Sequence, residues 1–139
     1  MIIIDATNQI LGRLATYAAK EALLGKEVRV INCEKAVISG SRAEVFAEYL
    51  HRMERGAPRS GPFLHRMPDK IVRRTIRGML PWKRAKGQDA YKRVYCYVSM
   101  PDEFKDKNPL VIENANVSKL PNLKFVDIGT LSKRLGAKL

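Results

Sequence analysis

Apolar residues in the first part of the chain recur with two different spacings, which predict alternating strands and helices. Residues 1–4 and 28–31 are short runs rich in β-branched side chains, and both suit strands buried on two faces. Between them, over residues 11–24, apolar side chains recur every three or four positions, and Gly25 ends the predicted helix. A third strand is predicted at 36–38. This strand–helix–strand order favours a parallel sheet with right-handed crossovers.

Two further helices are predicted on either side of a segment that cannot be regular. Ser41 and Glu44 have the spacing of a capping box, and an apolar stripe follows them as far as residue 53. Residues 55–68 then hold three of the seven prolines and two glycines. We expect an extended basic arm or loop there, taken below as residues 55–66 and called the arm. The next helix should begin at Pro68, a good first helical residue.

The helix that begins at Pro68 is predicted to have one apolar face and one basic face. The apolar face consists of Val72, Ile76, Met79 and Leu80. The opposite face consists of Lys70, Arg73, Arg74 and Arg77. We expect Met79 and Leu80 to anchor this helix to the core and Pro81 to end it.

The remainder of the chain is predicted to form short elements only. Gly87 marks a loop, and Gly129 with Thr130 opens a short final helix. The other expected elements are a helical turn at 91–93 and strands at 94–98, 110–112 and 124–128. Together these patterns predict one α/β domain over residues 1–139.

Charge changes this picture, because it is distributed unevenly along the chain. The net charge is +12, from 26 Lys and Arg against 14 Asp and Glu. Residues 1–50 are neutral, residues 51–100 hold thirteen basic against three acidic side chains, and residues 101–139 carry only +2. Such a concentration predicts a surface for an acidic polymer, since cations that neutralise phosphates release their counterions.

The predicted binding residues therefore lie in residues 52–93, called the basic segment below. Its thirteen cations are Arg52, Arg55, Arg59, Arg66, Lys70, Arg73, Arg74, Arg77, Lys83, Arg84, Lys86, Lys92 and Arg93. Phe63, His65, Trp82 and Tyr91 lie among them and could stack on bases or sugars. Nine of the thirteen are Arg, which binds phosphate bidentately and stacks, so nucleic acid is the expected partner.

Catalytic and metal chemistry finds little support in the sequence. The loop after the first strand, residues 5–12, has one glycine and lacks the glycine pattern or lysine of a phosphate loop. Cys33 closes an apolar strand and is expected to be buried, and Asp5 is expected to stabilise a turn. His51 and His65 are the only histidines, and neither has a cysteine at ligand spacing. We expect no cofactor, metal or small-molecule substrate.

Compartment and membrane association follow from similar observations. No apolar run approaches the roughly 18 residues that span a bilayer, and the apolar start is too short for a signal peptide. Cys33 and Cys96 are far apart in sequence, which argues against a disulfide framework and a zinc ribbon and indicates a reduced cytosolic compartment.

Several motifs in order resemble one known family. The most specific is Arg77-Gly78-Met79-Leu80-Pro81-Trp82-Lys83-Arg84, followed by residues 86–88. Residues 11–15, 32–34 and 38–40 agree as well, and residues 60–66 resemble the archaeal and eukaryotic branch. Over residues 2 to about 104 the chain is similar to the large-subunit ribosomal protein family numbered thirteen.

This resemblance implies a fold and a function. The fold would be a three-layer α/β/α sandwich on a mainly four-stranded parallel sheet, with the basic arm and basic helix attached. The function would be structural: binding ribosomal RNA beside neighbouring ribosomal proteins in the large subunit, early in assembly and without catalysis. The alternatives are a small nucleotide- or RNA-processing α/β enzyme, a duplex-DNA binder, and a basic amphipathic helix on a membrane.

Overall fold

The computed structural model describes residues 1–139 and contains five strands and five α-helices. The strands are β1 Ile2–Asp5, β2 Val28–Ile31, β3 Val37–Ser39, β4 Val94–Cys96 and β5 Phe125–Asp127. The helices are α1 Leu11–Leu23, α2 Arg42–Glu54, α3 Pro68–Gly78, α4 Ala85–Lys92 and α5 Ile128–Arg134. Short 3-10 turns occupy Cys33–Lys35, Asp102–Phe104, Glu113–Ala115 and Val117–Lys119.

The main sheet is parallel, as the strand–helix–strand order predicts. Its strand order is β1-β2-β4, so β2 is the central strand. The predicted strand at 110–112 does not form; Leu110 makes one isolated parallel bridge to Ile4. The sheet therefore has three strands, and the four-stranded sheet implied by the resemblance is not confirmed.

The strand predicted at 124–128 does form, but outside the parallel sheet. As β5 it pairs antiparallel with β3, and Ile38 lies opposite Val126. The strand predicted at 36–38, which the strand–helix–strand order placed in a parallel sheet, therefore forms as β3 outside that sheet. The pairing is fixed from both ends, because Gly40 donates to the Lys124 carbonyl and Ile128 donates to the Ala36 carbonyl.

The two faces of the parallel sheet are covered by different kinds of structure. On one face Ile4, Val28, Val30 and Val94 belong to a core cluster of 23 buried residues that includes members of α1, α3 and α5. On the other, Ile3 and Ile31 pack against Phe104 of a 3-10 turn. No α-helix residue belongs to this second cluster, so a three-layer sandwich is not confirmed either.

Helix α1 follows its predicted pattern closely. Leu14, Ala15, Ala18 and Ala22 are buried, and the small alanines allow the helix backbone to lie close to the sheet. The chain leaves the helix at Gly25, where φ is +89°, a left-handed conformation that glycine adopts without strain.

Helix α4 begins earlier than predicted and contains the glycine that was expected to mark a loop. Gly87 is buried within α4, and a Cβ at this position would overlap the carbonyl group of Pro81. Glycine is therefore required by close packing between helix and loop, and the prediction of a loop at Gly87 is wrong. In consequence, the turn through Pro81 lies directly against α4.

Helix α3 is anchored by one of its two expected terminal residues. Leu80 is buried, as predicted, and joins Val72 and Ile76 in the core. Met79 is 40% exposed, so it does not join the buried core. Its sulfur accepts a hydrogen bond from Thr16 of α1 at 3.3 Å.

Candidate nucleic-acid interface

The basic segment runs from the end of α2 through the arm, α3 and α4 to Arg93. Most of its predicted site residues are exposed: Arg52, Arg55, Arg59, Phe63, His65, Arg66, Lys70, Arg74, Trp82, Lys83, Arg84, Lys86 and Lys92. Three others, Arg73, Arg77 and Arg93, are half-buried. These cations look alike in the sequence, but they differ in the structure: some contact rings, carboxylates or carbonyl groups of the protein, and others have no partner.

Helix α2 brings the first cations to the surface and ends where the arm begins. Its N-terminus is capped as predicted, because the Ser41 hydroxyl accepts from the Glu44 N–H at 3.3 Å. Near its C-terminus Arg52 pairs with Glu48, and Arg55 follows 3.4 Å from Nε2 of His51. The C-terminal end of a helix dipole is negative and favours cations, and in α2 this end lies where the arm begins.

The arm is not fully extended, because it contains a small hairpin. Ala57 and Gly61 exchange two backbone hydrogen bonds, of 3.2 and 2.9 Å. Gly56 is tied to this turn, since a Cβ there would overlap the Gly61 carbonyl. After the turn the chain carries Phe63, which is 72% exposed.

A basic cleft lies between the arm, α2 and α3 and is called the arm cleft below. Its volume is about 630 Å³. Its lining residues are Tyr49, Arg52, Arg55, Pro62, Phe63, Leu64, His65, Ile71, Arg74, Thr75 and Gly78. None of them is acidic. Three arginines and an exposed aromatic ring are thus brought together from residues spread over 23 positions.

The other side of α3 carries a series of stacked cations and rings, called the aromatic ladder below. The Arg73 guanidinium lies 4.6 Å from the ring centre of Tyr91, and the Arg77 guanidinium lies 5.0 Å from that of Trp82. Tyr91 and Trp82 meet edge to face at 5.0 Å. Such contacts stabilise the packing of these side chains, because the negative face of an aromatic ring attracts a guanidinium or the positive edge of another ring.

The ladder continues into the parallel sheet through two residues that sequence reasoning did not select. Arg29 of β2 lies 3.8 Å from the ring centre of Tyr95 on β4, and Arg73 lies 5.9 Å from the same ring. Arg29 and Tyr95 are opposite each other in the strand register. Successive side chains of a strand point to opposite faces of the sheet, so Arg29 points away from the face on which Val28 and Val30 are buried. This alternation is the sequence signal that could have placed Arg29 on the face opposite the main core.

Several of the expected RNA contacts therefore have partners within the protein. Trp82 is 39% exposed and held by Tyr91 and Arg77, so part of its ring is already packed. Arg93 donates to the Ala22 carbonyl at the end of α1, at 3.3 Å, and Lys92 pairs with Asp89. Seven cations make no ion pair, hydrogen bond or ring contact: Arg59, Arg66, Lys70, Arg74, Lys83, Arg84 and Lys86.

The residues considered for catalysis are engaged in structural contacts. The Asp5 carboxylate accepts from the Thr7 N–H at 3.0 Å, the Thr7 hydroxyl at 2.7 Å and the Asn32 amide at 3.0 Å. Burial acts to raise the pKa of Asp5, but the hydrogen bonds from Asn32 and Thr7 outweigh it and lower that pKa. The turn-stabilising role predicted for Asp5 is confirmed.

Cys33 is buried, as predicted, and lies in the 3-10 turn that follows β2. Hydrogen bonding to Cys96 and burial raise the pKa of the Cys33 thiol well above its ordinary value. A raised pKa disfavours the thiolate that a nucleophile requires. No cluster of three or more His, Cys, Asp and Glu side chains has the arrangement of a metal site, and no helix is long and apolar enough to cross a membrane.

Fold and surface together describe a basic α/β protein whose charge is concentrated on one helix and the segments beside it. The ribosomal protein L13 family model matches residues 1–103. A large ribosomal subunit protein uL13 from Methanosarcina barkeri is 47% identical over 139 residues, covering 99% of both chains. The uL13 protein of Methanococcoides burtonii is 46% identical, and the alignment covers 99% of both chains. The uL13 protein of Methanopyrus kandleri is 43% identical, and the alignment covers 99% of this chain and 87% of the relative.

The chain therefore belongs to the ribosomal protein L13 family. The resemblance inferred from the sequence motifs is confirmed, and the relatives are archaeal, in agreement with the branch indicated by residues 60–66. Members of this family are structural constituents of the ribosome and not enzymes. The enzyme alternative is therefore rejected.

Proposed function

We propose that this protein is a structural constituent of the large ribosomal subunit, located in the cytoplasm, and that it binds ribosomal RNA through the basic segment. In this proposal residues 1–139 act as one domain, which fits a main core cluster that extends from Ile4 to Leu135. The protein would join the subunit early in assembly, where its cations hold converging RNA segments in fixed relative positions.

One observation carries the proposal: the chain's excess of positive charge lies in residues 51–100, where many of the cations are exposed and have no partner within the protein. Seven cations of the basic segment are in this state, and between Arg73 and Arg84 there is no acidic residue. An ordinary solvated helix face would carry glutamates among its lysines. Each phosphate neutralised by such a cation releases counterions, which favours binding at low salt.

The proposal gives the cations of the basic segment two roles. The half-buried Arg73 and Arg77 pack against Tyr91 of α4 and Trp82 of the turn before it. The unpartnered cations, with Arg74 on α3 and Lys83 and Arg84 before α4, supply the phosphate contacts. Neighbouring ribosomal proteins would contact surfaces outside the basic segment.

The experiment is sedimentation of the tagged protein in lysate of its own cells. We expect cosedimentation with the large subunit that is lost after RNase treatment or at high salt. The variant Arg74→Glu/Lys83→Glu/Arg84→Glu should fail to cosediment while melting at the wild-type temperature. The control Lys119→Glu/Lys124→Glu/Lys138→Glu makes the same charge change at exposed lysines elsewhere and should cosediment. Equal incorporation of both variants would refute the proposal.

A further inference from the structure

The arm cleft combines a flat, exposed aromatic ring with guanidinium groups, and no acidic residue lines it. Phe63 supplies the ring, and Arg52, Arg55 and Arg74 supply the charge. Its volume of about 630 Å³ falls within the roughly 300–1,000 Å³ of small-ligand sites.

We propose that the arm cleft binds a single unpaired nucleotide of RNA, with the base stacked on Phe63 and the phosphate held by Arg74. This inference rests on the proposed function and names the kind of RNA element that the arm recognises. The bases of a regular A-form duplex are stacked inside it, so an exposed ring in a cleft reaches a base only where that base is unpaired.

The ring of Phe63 lies beside Gly61. A Cβ at Gly61 would lie 3.1 Å from Cδ2 and 3.2 Å from Cε2 of Phe63, so one edge of the ring rests against this glycine. The ring nevertheless remains 72% exposed. A ring that is this exposed offers an open apolar face on which a base can stack.

The cations of the cleft differ in how available they are. Arg52 is paired with Glu48, and Arg55 lies 3.4 Å from Nε2 of His51. Arg74 is exposed and has no partner, and Thr75 and Gly78 beside it complete the α3 wall. Gly78 adds no side chain to this wall, which leaves room for a sugar and phosphate next to Arg74.

The chemistry favours a nucleotide over other acidic ligands. An acidic peptide would satisfy the arginines but would leave the Phe63 ring in water. A nucleotide offers an anion and a flat apolar surface within one residue, and both halves of the cleft would be used. His65, also in the lining, adds a second planar group at the same wall.

The test compares two RNA probes that differ by one nucleotide, using the full-length protein. One is a blunt 12-base-pair duplex, and the other is the same duplex with a single bulged 2-aminopurine, whose fluorescence reports stacking. Wild-type protein should bind the bulged probe at least about fivefold more tightly and change its fluorescence. Phe63→Leu should lose this preference, whereas Phe63→Tyr should keep it.

Phe125→Leu is the matched control, because it makes the same change at an exposed ring outside the cleft. Binding of both probes with equal affinity by the wild type would overturn the unpaired-nucleotide site and leave the proposed function intact. Failure to bind either probe would count against the proposed function itself. Competition by poly-glutamate as effective as that by bulged RNA would show that the cleft recognises charge alone and would also overturn the inference.

Discussion

Arg73 and Arg74 are adjacent in sequence but should respond in opposite ways to the same substitution. Arg73 is half-buried over the Tyr91 ring at 4.6 Å and near Tyr95 at 5.9 Å. Arg74 is exposed and has no partner within the protein. Arg73→Gln should therefore lower the free energy of unfolding, whereas Arg74→Gln should leave it nearly unchanged.

The magnitude follows from the two ring contacts of Arg73. A cation–aromatic contact contributes about 0.5–1 kcal/mol when exposed and about 2 kcal/mol when desolvated. One close and one distant ring at a half-buried site give a loss of about 1–2 kcal/mol for Arg73→Gln. A chain of this size shifts its melting temperature by about 3–4 °C per kcal/mol, so we expect a decrease of about 3–8 °C. Arg74→Gln should change stability by less than about 0.5 kcal/mol.

Thermal and urea unfolding of both variants provide the assay, and a double-mutant cycle with Tyr91→Leu isolates the ring contact. The cycle should give a coupling energy of about 0.5–2 kcal/mol between Arg73 and Tyr91. In RNA binding, Arg74→Gln should lower the slope of log affinity against log salt by about 0.7–0.9. Equal melting temperatures for Arg73→Gln and wild type, or a zero coupling energy, would refute the structural role of the ladder.

Three other tests address separate parts of the account. Gly87→Ala should destabilise the protein by about 1–3 kcal/mol, because the new Cβ would overlap the Pro81 carbonyl. Gly12→Ala, where the new Cβ on α1 would meet no other atom, should stabilise the protein by up to about 1 kcal/mol. Urea unfolding of the two variants measures both effects. Asp5 has a lowered folded-state pKa, so its stabilisation is present above about pH 4 and is lost as the pH falls through that pKa. On acidification, the free energy of unfolding of Asp5→Asn should therefore fall less than that of the wild type. Equal losses for the two proteins in parallel acid titrations would show that the Asp5 hydrogen bonds contribute nothing. Replacing the arm's three arginines by glutamine should flatten the salt dependence of RNA binding by about two to three units without changing the melting temperature; an unfolded variant would show that the arm supports the core.

Much of the fold could be predicted because local patterns determine it. The apolar spacing and Gly25 bound α1, and the Ser41–Glu44 spacing marks the start of α2. Gly87 was misread because a glycine can be required by a neighbouring segment as well as by a turn, and only the position of Pro81 distinguishes the two. The antiparallel pairing of β5 with β3 likewise depends on the path of the long irregular segment between β4 and β5. The residue pattern within β5 itself does not encode that path.

The binding segment could be located from charge alone, but the division of labour within it could not. Arg73 and Arg74 look equivalent in a helical pattern, and only the packing of α4 and β4 against one side of α3 separates them. Arg29 was overlooked because it lies outside the basic segment, and its contact with Tyr95 arises from strand pairing. Met79 looked like core, yet α3 ends one residue earlier, so the apolar spacing that buries Leu80 leaves Met79 half-exposed.

Ultraviolet cross-linking of isolated large subunits, followed by mass spectrometry of the cross-linked peptides, tests the central claim most directly. RNA cross-links from this protein should concentrate in residues 52–93, with Phe63, His65 and the unpartnered cations of α3 and the following loop among the modified positions. Residues 1–50, which carry no net charge, should contribute few. Cross-links found mainly in residues 1–50, with the basic segment unmodified, would contradict the assignment of the RNA-binding surface.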